Sequence, residues 1–292
     1  MNGGIVLLDK PRGMTSFDCD KYVRRASGIK KVGHSGTLDP FATGLLPVFV
    51  GDALKFMRYT DDYDKTYFCK AFFGASSDTG DSDGVITPVK APGSDDIGKI
   101  KDVLSKTSEM TEQIPPKYSA KKINGVKAYD LARKGVEFEL KPNKIRIYSL
   151  DIGEIRIVDG GVTVEFTVHC SKGTYIRTIC TDAGDMTGFG GYAMELRRLQ
   201  VGPFEVDEAV KMDDEITYID PIRTIGGMPV ISLSKQAAED IRNGKKIPAS
   251  KIGIDPDMGI EEKKLCRSEY EGRLIAVIYV ENGIVRVDRG FA

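Results

Sequence analysis

The stretch VTVEFTVHC, Val162 to Cys170, alternates without a break. Val162, Val164, Phe166, Val168 and Cys170 are apolar; Thr163, Glu165, Thr167 and His169 lie between them. A period of two places one set on each face of a strand, with the apolar face against a core. His169 falls on the polar face, where a surface or hydrogen-bonded role is the default. Outward from this strand, Thr66–Phe73 is aromatic and β-prone, and Ile145–Ile152 reads as a further strand. Gly4–Leu8 is a short apolar run stopped by Asp9-Lys10-Pro11, a strand entering a turn.

Helical patterns and irregular inserts separate these strands. Thr15 and Asp18 have capping-box spacing and open a helix that carries Phe17, Val23 and Ala26 and stops at Gly28. Ser94–Ser105 has Ile97, Ile100, Val103 and Leu104 at helical spacing, and Ala128–Lys134 is closed by Gly135. No regular βαβ repeat results. The pattern predicts an α+β fold with a mixed, largely antiparallel sheet. Near Gly226-Gly227-Met228-Pro229 the character changes. A helix over Ser234–Arg242 ends by Gly244, and Leu274–Val280 and Ile284–Val287 flank the hairpin signal Glu281-Asn282-Gly283. The expected division is therefore a domain over 1–227 and a small β-barrel over 228–292.

Composition removes several function classes. At 292 residues, with 41% hydrophobic and 29% charged content, the chain is an ordinary globular one. Its apolar runs are too short to span a bilayer, and MNGGIVLLDK lacks the basic start and cleavage site of a signal peptide, so no membrane association and a cytoplasmic location are expected. The five cysteines are scattered without a CxxC pair, which predicts reduced thiols, and with His34 and His169 as the two histidines no metal site is expected. Asp81, Asp83 and Gly84 superficially resemble a calcium loop, but the register puts Thr79 first and Lys90 twelfth, where acids belong. No GxxxxGK[ST] occurs. Net charge is −1, yet Lys117–Arg146 holds nine basic residues against three acidic ones. Such a tract suits a phosphate backbone, although charge alone favours a solvated helix face.

One carboxylate stands out in the loop-like segment GHSGTLDPFATG, Gly33 to Gly44. Asp39 precedes Pro40, which biases it away from the helical region and fixes the direction of its side chain. Gly33, Gly36 and Gly44 permit close backbone approach. A carboxylate held this way can act as nucleophile or base, although Asp-Pro is also a common turn pair. A second segment, CSKGTYIRTI (Cys170–Ile179), turns from strand to helix with Tyr175 and Arg177 at the helix start. Arg177 can orient and ionise Asp39, or simply face solvent. Tyr67 can stack on a base, or serve as a core aromatic.

Together these segments resemble one family. LLDKPRGMTS (Leu7–Ser16), VGHSGTLDPFATGLLPV (Val32–Val48), KTYFCKAFFGASSDTGDSDG (Lys65–Gly84), QIPPKYSAKKINGVKAYDLARKG (Gln113–Gly135), CSKGTYIRTI and LRRLQVGPF (Leu196–Phe204) are similar, in that order, to the TruB family of pseudouridine synthases in its stand-alone bacterial branch. The resemblance spans roughly residues 3–205. It implies the pseudouridine-synthase fold, an RNA-gripping insertion at about 74–146, and a PUA-like RNA-binding tail. It implies isomerisation of uridine 55 in the T-loop of tRNA. By position, Asp39 is the catalytic aspartate, Tyr67 stacks on the flipped uracil, Arg177 pairs with Asp39, and Tyr175 and Leu196 line the pocket. His34 sits near the flipped nucleotide. Lys10 belongs to a KPxG motif with a structural or phosphate-facing role. Lys117, Lys121, Lys122 and Lys127 are the expected contacts to the RNA backbone. The product is an isomer, so no cofactor or metal is implied. No obligatory protein partner is expected, and a monomer is. The rival expectation is a non-catalytic RNA-binding protein on the same scaffold, or a synthase for another RNA.

Overall fold

The computed structural model describes residues 3–119, 121–123, 125–254 and 263–291. The chain divides into two compact units, Met1–Asp220 and Pro221–Ala292, a boundary seven residues before the one expected from composition. Among the described residues no helix is long and apolar enough to cross a membrane.

The first unit is built on one sheet. Its strands are β1 (Ile5–Lys10), β2 (Val32–His34), β3 (Thr43–Val50), β4 (Lys65–Phe73), β5 (Ile147–Val158), β6 (Gly161–Cys170), β7 (Gly191–Val201) and β8 (Phe204–Glu205). The order is β1-β3-β7-β4-β6-β5, with β2 on β3 and β8 on β7. β7 runs parallel to β3, and the other pairings are antiparallel. The sheet is thus mixed and largely antiparallel, as the alternation in β6 predicts.

The core follows from that alternation. Cys69, Ala71 and Phe73 of β4 join Val164, Phe166 and Val168 of β6 on one buried face. Helices α2 (Ile97–Thr107) and, farther along, Ile176–Thr187 cover it with Ile100, Leu104, Ile179 and Ala183. A second cluster joins Val6 and Leu8 of β1 and Leu46 and Val48 of β3 to Cys19 and Val23 of α1 (Ser16–Ser27).

Local chemistry sets the boundaries. The Thr15 hydroxyl accepts from the Asp18 N–H at 3.1 Å while the Asp18 carboxylate accepts from the Thr15 N–H, so the capping box forms as expected. The inward stripe of α1 is Ser16, Cys19, Asp20 and Val23. Phe17 and Ala26, expected on the apolar face, are exposed. Phe17 lies one residue, about 100° round the helix, from Ser16, and Lys21 sits over its ring instead. β5 begins two residues later than expected and runs six further, because two bulges let it follow β6 although two-thirds of its own residues are exposed. The short helix Ala128–Arg133, here α3, ends at Gly135 as expected; helix Ile176–Thr187 is α4.

Gly44 shows why this loop-to-strand junction takes glycine. Its φ is +99°, and a Cβ there would lie 2.3 Å from the Arg198 carbonyl across the parallel β3/β7 pairing. Gly44→Ala is expected to cost at least about 2 kcal/mol, read as a lower urea midpoint.

The second unit has its own sheet, β9 (Val230–Ser232), β10 (Cys266–Tyr270), β11 (Arg273–Glu281) and β12 (Ile284–Gly290), with β9 parallel to β10 and the rest antiparallel. The expected hairpin closes through Asn282 and Gly283, both at positive φ, a type I′ pair. Helix α5 (Lys235–Arg242), capped by the Ser234 hydroxyl on the Ala237 N–H, packs Ala238 and Ile241 onto Ile275 and Ile278.

Candidate active site

A cleft of about 730 Å³ opens in the first unit. The 35–39 loop, Tyr67, the Thr174–Arg177 turn and β7 line it, with Asp39, Tyr67, Tyr175, Arg177 and Leu196 all in its wall. Five positions scattered over some 160 residues therefore converge.

The Asp39 loop is fastened from below. The Ser16 hydroxyl donates to the Leu38 carbonyl at 3.0 Å and accepts from the Leu38 N–H at 2.9 Å. The Gly13 N–H donates to the Pro40 carbonyl. Lys10, at 0% exposure, donates to the carbonyls of Pro11, Met14 and Pro40 at 3.1, 2.8 and 3.3 Å. Burial, only partly opposed by the charges of Cys19 and Asp39, lowers its pKa to about 8. Lys10 thus joins the KP turn to the Asp39 loop and does not line the cleft.

Arg177 sits in the first turn of α4, and its side chain is only 4% exposed. The surface alternative read from its position is thereby excluded. Nη2 pairs with Asp39 Oδ2 at 3.0 Å and donates to the Tyr118 carbonyl at 2.8 Å. Nη1 donates to the Thr79 carbonyl at 2.7 Å and pairs with Asp81 Oδ2 at 3.2 Å. One guanidinium therefore bridges two carboxylates. Asp81 is buried, with an 8% exposed side chain, and its other oxygen accepts from the Thr79 hydroxyl and the Asp83 N–H. The side chain of Asp39 is 38% exposed and faces the cleft. Desolvation in the cleft pushes the Asp39 carboxyl above the ordinary range; the Asp81 charge adds to this, and Arg177 and then Lys10 oppose it.

Tyr67 and Arg198 face each other across the β4/β7 pairing. Burial raises the Tyr67 phenol, and the nearby guanidinium of Arg198 opposes that rise. Tyr175 caps α4. Its N–H donates to Gln113 Oε1 at 3.0 Å and its carbonyl accepts from Gln113 Nε2 at 3.4 Å.

The remaining expected residues lie elsewhere. His34 is a β2 residue beside the loop, with Nδ1 2.9 Å from Asp20 Oδ2 and Nε2 3.2 Å from Thr37 Oγ1. It does not line the cleft. Lys117 is exposed. Lys121 is engaged within the protein, by the Lys141 carbonyl at 3.0 Å and the Asn143 side chain. The side chains of Lys122 and Lys127 fall outside the described residues, as do Ala120 and Asn124 of the same motif.

Comparison with known families decides the kinship. Residues 24–176 match the family described as TruB family pseudouridylate synthase (N terminal domain), and residues 177–217 match the tRNA pseudouridylate synthase B C-terminal domain. The chain belongs to the TruB family.

Its relatives include the tRNA pseudouridine synthase B of Syntrophotalea carbinolica, 43% identical over 72% of this chain and 67% of that one. That of Clostridium kluyveri is 40% identical over 84% of this chain and 85% of the relative. Among solved structures, the protein aligns with a chain of a Cbf5-Nop10-Gar1 complex at TM-score 0.73, 22% identity, over 100% of this chain and 85% of that one. At that identity the likeness is one of fold. Both matched TruB segments end before the second unit begins.

Three members of the TruB site escaped the sequence reading. Asp81 stood out only as part of a rejected calcium loop, and its partner lies 96 residues away. Gln113 and Arg198 lie inside quoted motifs, but nothing in their spacing marks them. The available signal for Arg198 was a charged residue at a core-facing position of a strand.

Proposed function

We propose that the protein isomerises uridine 55 in the T-loop of tRNA to pseudouridine, with Asp39 as the reacting carboxylate. The observation that carries this reading is the Asp39–Arg177 pair, opening on a cleft walled by Tyr67 and Leu196, in a chain of the TruB family. The names of the relatives supply the substrate class, tRNA.

The base must leave the loop to reach such a cleft. Tyr67 offers it a stacking face, worth about 1–3 kcal/mol per base in comparable sites. Arg177 holds Asp39 ionised and aimed. Asp39 then either attacks C1′ or removes a proton from the ribose; either way the N1–C1′ bond breaks and its electron pair goes to the uracil. The base turns and C5 bonds to C1′, displacing the Asp39 carboxylate if it had attacked, or with the ribose taking its proton back from Asp39 if it had lost one; C5 then loses its proton and N1 gains one. Atoms and oxidation state are conserved, so the chemistry calls on no external oxidant or group donor.

The same reading assigns the rest of the chain. The segment at about 74–146 contacts the RNA, with the exposed Lys117 and with Lys122 and Lys127 as backbone contacts. His34 meets the strand beside the flipped nucleotide. The unit after Asp220 is a PUA-like RNA-binding module, and the protein works as a cytoplasmic monomer without a protein partner. The test is pseudouridine formation in unmodified tRNA transcript, mapped by position with EDTA present. Conversion confined to uridine 55 is expected. Tight binding without conversion would overturn the reading in favour of a non-catalytic RNA-binding protein.

A further inference from the structure

Arg198 is buried to 1% exposure, yet lies in the wall of the cleft. Its Nε donates to the Leu45 carbonyl at 2.8 Å. Its Nη1 lies under the 35–39 loop, 3.2 Å from where a Cβ on Gly36 would stand. Its Nη2 has no hydrogen-bond partner among the described residues. No carboxylate pairs with it there, in contrast to Arg177, which has two. Lys65, which also lines the cleft, adds a second cation nearby: burial lowers its pKa and the charge of Arg198 lowers it further. The Tyr67 phenol lies within hydrogen-bonding reach of the Arg198 side chain but is a neutral group, and a buried guanidinium without a counter-charge is costly and calls for a reason.

The reaction supplies one, granted the activity proposed above. Before bond cleavage the negative charge of the site is on Asp39, balanced by Arg177. If Asp39 attacks C1′, it becomes a neutral ester. If it removes a ribose proton, it becomes a neutral acid. In both cases cleavage of N1–C1′ moves the negative charge onto the uracil, where N1, O2 and O4 share it. The base lies against Tyr67, and Arg198 is directly opposite Tyr67 in the strand register. A fixed positive charge with no anion in the resting state is what a transient anion requires, because it need not reorganise when the charge arrives.

We infer that Arg198 is the cation that balances the detached uracil anion, acting through the cleft wall beside Tyr67, while Arg177 serves Asp39. The role concerns the leaving base and is the same for either mechanism of Asp39.

The test is single-turnover conversion by Arg198→Met and Arg198→Lys, with tRNA binding and melting temperature measured in parallel. Arg198→Met should bind tRNA within about twofold of wild type and lose at least about 10²-fold in rate. Arg198→Lys, which restores charge without the planar fork, should recover at least about tenfold of that loss. A transcript with 5-fluorouridine at the target position provides the decisive arm. Fluorine stabilises the uracil anion, so loss of the N-glycoside should be impaired much less in Arg198→Met on this substrate than on uridine. Equal impairment on both substrates, or equal rates for the Met and Lys variants, would overturn the inference and leave Arg198 a packing residue. A wild type that converts no tRNA would instead overturn the proposed activity itself.

Discussion

Asp39→Asn is expected to bind tRNA as the wild type does, to convert none of it within about 10⁴-fold of the wild-type rate, and to melt slightly higher. The first two results follow from the site. Asn keeps the shape of the side chain and its place beside Arg177, but it is neither a nucleophile toward C1′ nor a base. The third follows from the direction of the Asp39 shift. Burial raises this carboxyl above its unfolded value, even with the attraction of Arg177 included. The folded state therefore binds the proton more tightly than the unfolded state does. Stability contributed by the protonated form is present at low pH and is lost as pH rises through the window between the unfolded value, about 3.9, and the raised folded one. At neutral pH the ionised Asp39 is a cost, and Asn removes it. Arg177 is not orphaned, since Asp81 still holds Nη1. A lower melting temperature would show that the Arg177 pair outweighs desolvation. The same shift sets the acid limb of the rate profile: conversion should fall as pH drops through a value above that of an ordinary aspartate.

Arg177→Met is expected to cost both activity and fold. It deletes two ion pairs and the bonds to the Thr79 and Tyr118 carbonyls. It leaves Asp39 and the buried Asp81 facing each other with nothing between their charges. Breaking a buried pair on one side typically costs about 3–5 kcal/mol, which should appear as a fall of roughly 10 °C or more in melting temperature. Arg177 is also the strongest influence holding the Asp39 pKa down. Without it the carboxyl titrates higher still, and the acid limb of the rate profile should move to higher pH, with about 10²-fold or greater loss near neutrality. Arg177→Lys keeps a charge but cannot reach two carboxylates and two carbonyls at once. It should lie between the wild type and Met on both readouts. An unchanged acid limb in a folded Arg177→Met protein would remove Arg177 from the control of Asp39.

The sheet was legible where one face is buried. β6 declares itself by alternation, β4 by its aromatic, β-prone composition, and the α1 cap and the Asn282-Gly283 turn by local chemistry. β5 was legible only in part, because an edge strand takes its length and its bulges from its partner. Phe17 was misplaced because an apolar side chain near a helix start does not reveal which way the first turn faces.

The candidate site divides along the same line. Sequence by itself determined the Asp39 loop, the strand carrying Tyr67 and the turn that launches Arg177, since each depends on neighbours a few residues away: a proline, an aromatic β-prone run, a Lys-Gly turn. Only the tertiary structure decided that one guanidinium bridges Asp39 and Asp81, that Lys10 is sealed beneath the loop, and that Arg198 stands in the cleft wall without a counter-charge. Charge balance in a buried site depends on which distant segments converge there and how much water they exclude, and neither quantity is written in local spacing.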